Sequence, residues 1–498
     1  MTKRFYSLYP FSALLLGLIL AQTLATVHVY LSNTSLYDSL AAITAAGYLA
    51  VPNPQVMDRL HQFKPAFCGG LYFTFSIGAG ISFISIGCAW IWQRLFNRKK
   101  TVLYLFFALW LALLIALNIH GFKLVVNLYF LVIPPAVFIT AIACMFHLNR
   151  QGGRPKETIH IVPIMVLAML LSWQIDSRLF TDFRDIFLLS NPVGSRINSF
   201  YYRYTLYPAE VFKSLDQKML KTCSLEKITN DAKARSLENI LINHDYIPIG
   251  DKKAVDLKAE QMNDHLILNY TSDPMIKISF EEFFADPDNA IQKFASKSDR
   301  YAFFRQFVFF SLVTGFPLAV YVIMHGLISL ACSIFLNIRA SLVVASVVCF
   351  AVGLFLMFSF HLKRDQPVSL STLDKALDAD QWQMRVAALK QIDQNKLDVK
   401  RFHAFPQLLI SPYIAERYWL VKTLANSKDP AAYEDLVTFL KDPHPNIRSM
   451  ALYALGEMGN RQAIDEVMRI IKTSDEWYCQ WYAYRALRSL GWKQKKLN

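Results

Sequence analysis

Apolar residues are distributed along this chain in two different ways. Up to about residue 362 they come as long unbroken runs, and beyond 366 they recur at every third and fourth position. The runs are 8–31, 67–92, 102–119, 124–147 and 158–175, then 303–336 and 340–360 after a more polar stretch. Each offers roughly the 17 to 25 residues that a helix needs to cross hydrocarbon. The first run follows Lys3 and Arg4, exceeds the core of a signal peptide and lacks a small-residue cleavage site. It reads as an uncleaved anchor with a cytoplasmic N-terminus. Residues 32–64, with Pro52 and Pro54, read as an amphipathic connection.

Seven candidate spans create a conflict. An odd number places the C-terminus outside, whereas Lys363 and Arg364 at the end of the last run favour the cytoplasm. Either one candidate does not cross or the C-terminal region lies outside. The shortest candidate, 158–175, contains Pro163, and without it both polar regions become cytoplasmic, the placement towards which the local charge leans.

Residues 176–302 read as a small inserted α+β domain. Helix is expected at 231–243 and 280–295, and short strands at 246–249, 254–257 and 266–270. Its first part gathers Phe200, Tyr201, Tyr202, Tyr204 and Tyr207 around Arg203. Such a composition suits the bilayer interface, or else a partner surface.

The spacing beyond 366 is a repeat. Arg385, Arg417, Arg448 and Gln480 form one column at an interval near that of helical solenoids. Three positions on stand Ala388, Leu420, Ala451 and Ala483, then Leu389, Val421, Leu452 and Tyr484. Seven positions on stand Ile392, Leu424, Leu455 and Leu487. Offsets of three, four and seven share one helix face, so each unit should bury the same stripe. A second helix recurs as well, Leu436 and Leu440 matching Val467 and Ile471.

In IRSMALYALGEMGNRQAIDEV, Ala451, Leu452, Ala454, Leu455, Gly456, Gly459 and Asn460 fill the pattern of the short HEAT repeats of the phycobilisome-lyase type, which this stretch resembles. Other units depart from it, with Ala425 and Arg488 in place of the first glycine. The resemblance implies an α-solenoid and, for most such domains, a protein-binding scaffold. A few are bilin lyases, a chemistry that nothing else in the chain supports. Column arginines either meet an acidic partner or bond the neighbouring repeat. Off the buried stripe, Tyr418, Trp419, Trp481 and Tyr482 are the expected partner-binding residues, because large aromatics are enriched in binding hot spots.

Composition agrees with a membrane class: 54% of the 498 residues are hydrophobic and only 18% charged, against about a quarter in soluble domains. The formal charge of +14 suggests nucleic acid at first sight. Much of it, however, flanks apolar runs, as in Arg94, Arg98, Lys99 and Lys100 or Arg150, Arg154 and Lys156, where orientation and acidic lipid account for it. No P-loop, GxSxG, HExxH or dinucleotide motif occurs, and the seven cysteines have no zinc-site spacing. Paired histidines, His147 with His160 or His28 with His120, are the one cofactor arrangement worth naming, for haem; the expectation is no cofactor and no metal.

The expected fold is mainly α: a polytopic transmembrane bundle (1–175 and 303–362), the inserted α+β domain (176–302) and a HEAT-like solenoid (366–498). The expected function is a multi-pass inner (plasma) membrane scaffold or adaptor, not an enzyme, whose solenoid recruits a protein partner at the lipid bilayer, without nucleic acid. The alternative is a subunit of a membrane transporter or membrane enzyme with the repeats as a regulatory domain.

Overall fold

The computed structural model describes residues 8–119, 121–150, 158–173, 175–250, 255–270, 273–364 and 368–496. The chain forms two compact units. The first comprises Met1–Leu31, Phe63–Asp176 and Arg300–Ser359; the second comprises Ser32–Gln62, Ser177–Asp299 and Phe360–Asn498.

Seven apolar helices run through the first: α1 (Tyr9–Ala45), α2 (Phe63–Leu95), α3 (Lys100–Leu117), α4 (Leu124–Arg150), α5 (Thr158–Ser172), α6 (Ala302–Cys332) and α7 (Ile338–Arg364). Six are long and apolar enough to cross a membrane; α5, with 15 residues, is shorter. The first helix outruns its apolar stretch. Nothing between Leu31 and Ala45 breaks a helix, so it continues for 37 residues, about 55 Å at 1.5 Å per residue. Hydrocarbon is only about 30 Å thick, and from Ser32 the helix belongs to the second unit. Small residues set the packing of α2. An added Cβ on Gly78 would strike Ala21, one on Gly70 would reach the backbone at Thr26, and one on Gly80 would strike Ser311. Gly87 faces open space and takes no part.

In the second unit a five-stranded sheet has the order β2-β1-β3-β4-β5, with β1 Lys221–Lys227, β2 Tyr246–Pro248, β3 Leu257–Met262, β4 His265–Tyr270 and β5 Asp273–Ser279. Helix Asp231–Asn243 makes the crossover from β1 to its parallel neighbour β2, while β3, β4 and β5 form an antiparallel meander. Two strands, β1 and β5, are additional to those the sequence suggests, and β3 begins where the expected 254–257 strand ends. The expected helix 280–295 is two, Phe280–Ala285 and Pro287–Lys297. Asp286 ends the first and caps the second, accepting a hydrogen bond from the Asn289 amide at 3.2 Å, while Pro287 suits a first helical turn. Leu237, Leu241, Leu257, Leu266, Phe283 and Phe294 fill the core beside the sheet.

The C-terminal repeats stack helices Trp382–Gln394, Ile414–Leu424, Pro445–Met458 and Trp477–Ser489, with Ala431–Phe439 and Ala463–Thr473 as second helices. All twelve stripe residues, from Ala388 to Leu487, are buried, as are Leu436, Leu440, Val467 and Ile471. Gly456 lies against Ala486 of the next unit, so the helices approach closely there. Gly459 closes its helix at φ 72°, a left-handed position that favours glycine.

Candidate functional site

Each column residue reaches back six positions to a backbone carbonyl. Arg385 donates to Ala379, Arg417 to Ser411 at 2.5 Å, Arg448 to Asp442 at 2.6 Å and Gln480 to Ser474 at 2.6 Å. The arginines also grip a later acidic side chain. Arg385 pairs with Glu416 at 2.6 Å, Arg417 with Asp442 at 3.0 Å, and Arg448 with Glu476. The column is therefore a stacking device in which each unit holds the next.

At Gln480 a distant piece of chain takes the place that an acidic side chain holds beside the column arginines. The Gln480 side-chain oxygen accepts the Asn53 amide N–H at 2.7 Å; an arginine, which has no acceptor, could not do this. The Asn53 side chain donates to the carbonyls of Ile471 at 2.9 Å and Ser474 at 3.0 Å. Its own oxygen meanwhile caps helix Pro54–Leu60. Gln494 bonds both backbone groups of Leu49, and Arg59 pairs with Asp475 at 3.0 Å.

A second stretch of the chain, residues 177–211, covers two of the expected partner residues, Tyr418 and Trp419. Trp419 is buried and donates its indole N–H to Asp185 at 2.8 Å. The Arg184 guanidinium lies 3.8 Å from the centre of the Tyr418 ring and bonds Asp185 at 2.7 Å. Burial opposes the Arg184 charge, but Asp185 and the neighbouring phenols more than offset it, so the group stays above its usual range. Lys390 bridges Asp182 at 2.7 Å and Asp185 at 3.3 Å, while Arg364 holds the other Asp182 oxygen at 2.8 Å. Tyr202 packs at a tilt against Tyr478 with ring centres 4.6 Å apart. Tyr482 lies beside Tyr478, and burial pushes its phenol up to about 12. Asn198 and Asn446 exchange amide hydrogen bonds at 2.6 and 3.3 Å. The first turn of helix Pro192–Tyr204 needs Gly194, because a Cβ there would strike the Phe187 carbonyl. Trp481 stands apart from this ionic cluster: it is half-buried, edge-on to Tyr482, with Arg485 4.7 Å from its ring centre.

The aromatic belt expected at 200–207 thus divides. Tyr202, Tyr204 and Tyr207 pack inwards, with Tyr207 edge-on to Trp477 at 5.0 Å, whereas Phe200 and Tyr201 remain exposed. Spacing along the repeats could not reveal Asp182, Asp185 or Asn53, which come from elsewhere in the chain. Of the histidine pairs, His120 lies outside the described residues, as does the side chain of His160. Among the described residues no group of three or more His, Cys, Asp or Glu side chains could hold a metal.

Residues 404–488 match the family model described as HEAT repeats. The C-terminal region thus carries HEAT-like repeats, which suggest a protein-interaction or scaffold role. No curated protein matches the chain.

Proposed function

We propose that this protein is a multi-pass inner-membrane scaffold that recruits a protein partner through its HEAT-like domain. The observation that carries this reading is that the repeats already hold polypeptide. Two stretches of the same chain, 49–60 and 177–211, lie on them through buried hydrogen bonds and ion pairs. A surface that binds chain in this way can bind another chain by the same contacts. Within the expected patch, Tyr418 and Trp419 hold the protein's own segment, Tyr482 packs on Tyr478, and Trp481 with Arg485 is the edge at which a partner joins them.

The apolar helices supply the anchor, and the second unit implies which way it faces. Stretches 32–62, 177–299 and 360–498 form one compact unit, so a bilayer cannot pass between them. All three then lie on one side, which requires α5 to cross together with the six longer helices. A short span is accommodated by local thinning of the bilayer, and α5 packs Leu167 against Gly353 of α7. The opposite side then receives Lys3, Arg4, Arg94, Arg98, Lys99, Lys100, Arg150, Arg154 and Lys156, which marks it as cytoplasmic. Arg364, which spoke for a cytoplasmic C-terminus, has its charge matched by Asp182. The repeats consequently face away from the cytoplasm.

A photocrosslinking residue at position 481 in living cells tests the scaffold reading. One discrete adduct is expected, lost on Arg485→Ala while the protein stays in the membrane. Absence of any adduct from 481 and from neighbouring exposed positions would overturn it.

A further inference from the structure

Between the ends of α2, α3 and α4 lies an open groove of about 400 Å³, lined by Trp92, Leu103, Phe138, Ile142, Ala143 and Phe146, with His147 at its end. Its walls are almost wholly apolar, and it sits on helices whose outward side chains are themselves apolar, including Tyr104, Leu105, Phe107 and Ile139. In a bilayer such a groove faces acyl chains.

One end of the groove is different. The turn between α2 and α3 takes left-handed backbone at Asn97 (φ 46°) and Arg98 (φ 62°). It is tied to the groove wall by the Trp92 indole, which donates to the Lys99 carbonyl at 3.0 Å. Arg98 lies over the Phe146 ring at 5.2 Å. The exposed Arg98, Lys99 and Lys100 therefore crown the same end that Phe146 and His147 close. An apolar trough with a fixed cationic rim at the headgroup level is complementary to one molecule of an anionic phospholipid. The acyl chain lies along Ile142 and Ala143, and the phosphate meets the turn. Basic pockets between transmembrane helices bind anionic headgroups by the same electrostatics.

We infer that the α2–α3–α4 groove is a binding site for an anionic phospholipid of the cytoplasmic leaflet. This rests on the membrane reading above, and the experiment separates the two. Membranes carrying the full chain are first washed with alkaline carbonate; release of the protein would defeat the membrane reading. Retained protein is then purified in mild detergent, and its binding of phosphatidylglycerol and phosphatidylcholine is compared by native mass spectrometry. Preference for phosphatidylglycerol is expected. Arg98→Gln should weaken it about fivefold, the effect of one basic charge near a membrane surface. Ala143→Trp, which fills the exposed trough without touching the charges, should displace both lipids from the site. Equal retention of the two lipids, or a phosphatidylglycerol preference indifferent to both substitutions, would overturn the site.

Discussion

Gln480 occupies a column otherwise made of arginine, and its role differs in one atom. Its amide oxygen takes the Asn53 N–H, which an arginine would leave buried without an acceptor. Gln480→Arg should therefore destabilise the second unit by about 1–3 kcal/mol, the cost of a buried unsatisfied donor, measured as a shift in the urea midpoint in detergent. Leu452, fully buried in the repeated stripe, tolerates charge far less. Leu452→Asp should cost more than about 4 kcal/mol and remove the helical CD signal of the repeats; an unchanged spectrum would contradict the register. His444 titrates in a different sense. Burial holds it below its ordinary 6.5, with Asp442 pulling upwards and Arg417 and Arg448 downwards. The unfolded chain then takes the proton first, so the contribution is whole above pH 6.5 and is lost as pH falls through the lower folded value. His444→Gln should flatten the fall in thermal stability between pH 7 and pH 5. The stripe and the column were legible in the sequence because both recur at a fixed interval. The acids that the arginines grip were not, since Glu416, Asp442 and Glu476 lie 31, 25 and 28 residues further on.

Elements divide in the same way between what is local and what is not. Helices with a single apolar stripe or a long apolar run were readable, including Asp231–Asn243 and most of the long apolar helices. The extension of α1 beyond Leu31 was hidden, because its polar residues meet the second unit and not a loop. Strand β5 was hidden by Pro274 near its start, a residue that a sheet accepts at edges and bulges; β5 is an edge strand, and its register shifts beside Pro274. The segment 177–211 reads as an interfacial belt by composition, yet it carries Asp182 and Asp185 into contact with Lys390 and Trp419. Residues 366–498 expressed alone should be helical, since four stacked units meet the minimum for a shared core. They should nonetheless melt below the full chain, because Leu49, Val51 and Leu189 belong to the same buried cluster. A peptide of residues 177–211 added in trans should raise that melting temperature, and Asp185→Ala in the peptide should abolish the gain. A peptide without effect would mean that the segment stays on the repeats only because the chain ties it there.

At the scale of the whole molecule, the apolar helices and the second unit alternate along the sequence. Cysteine labelling tests the orientation proposed above. An impermeant reagent applied to cells with a permeable outer envelope should modify Met262→Cys, at the exposed end of β3, and should fail at Asn97→Cys. The reverse pattern would place the repeats in the cytoplasm. The same alternation has a consequence for biosynthesis. Asn53 leaves the ribosome 427 residues before Gln480, a delay of about 20–85 s at roughly 5–20 residues per second. Throughout that interval Leu49 and Val51 lack the last repeat of the core they enter, although α1 and α2 have already emerged. Every nascent copy thus presents the same apolar stretch to holding chaperones and proteases. A chain that stops before residue 480 keeps it exposed permanently, which marks the truncated product for disposal.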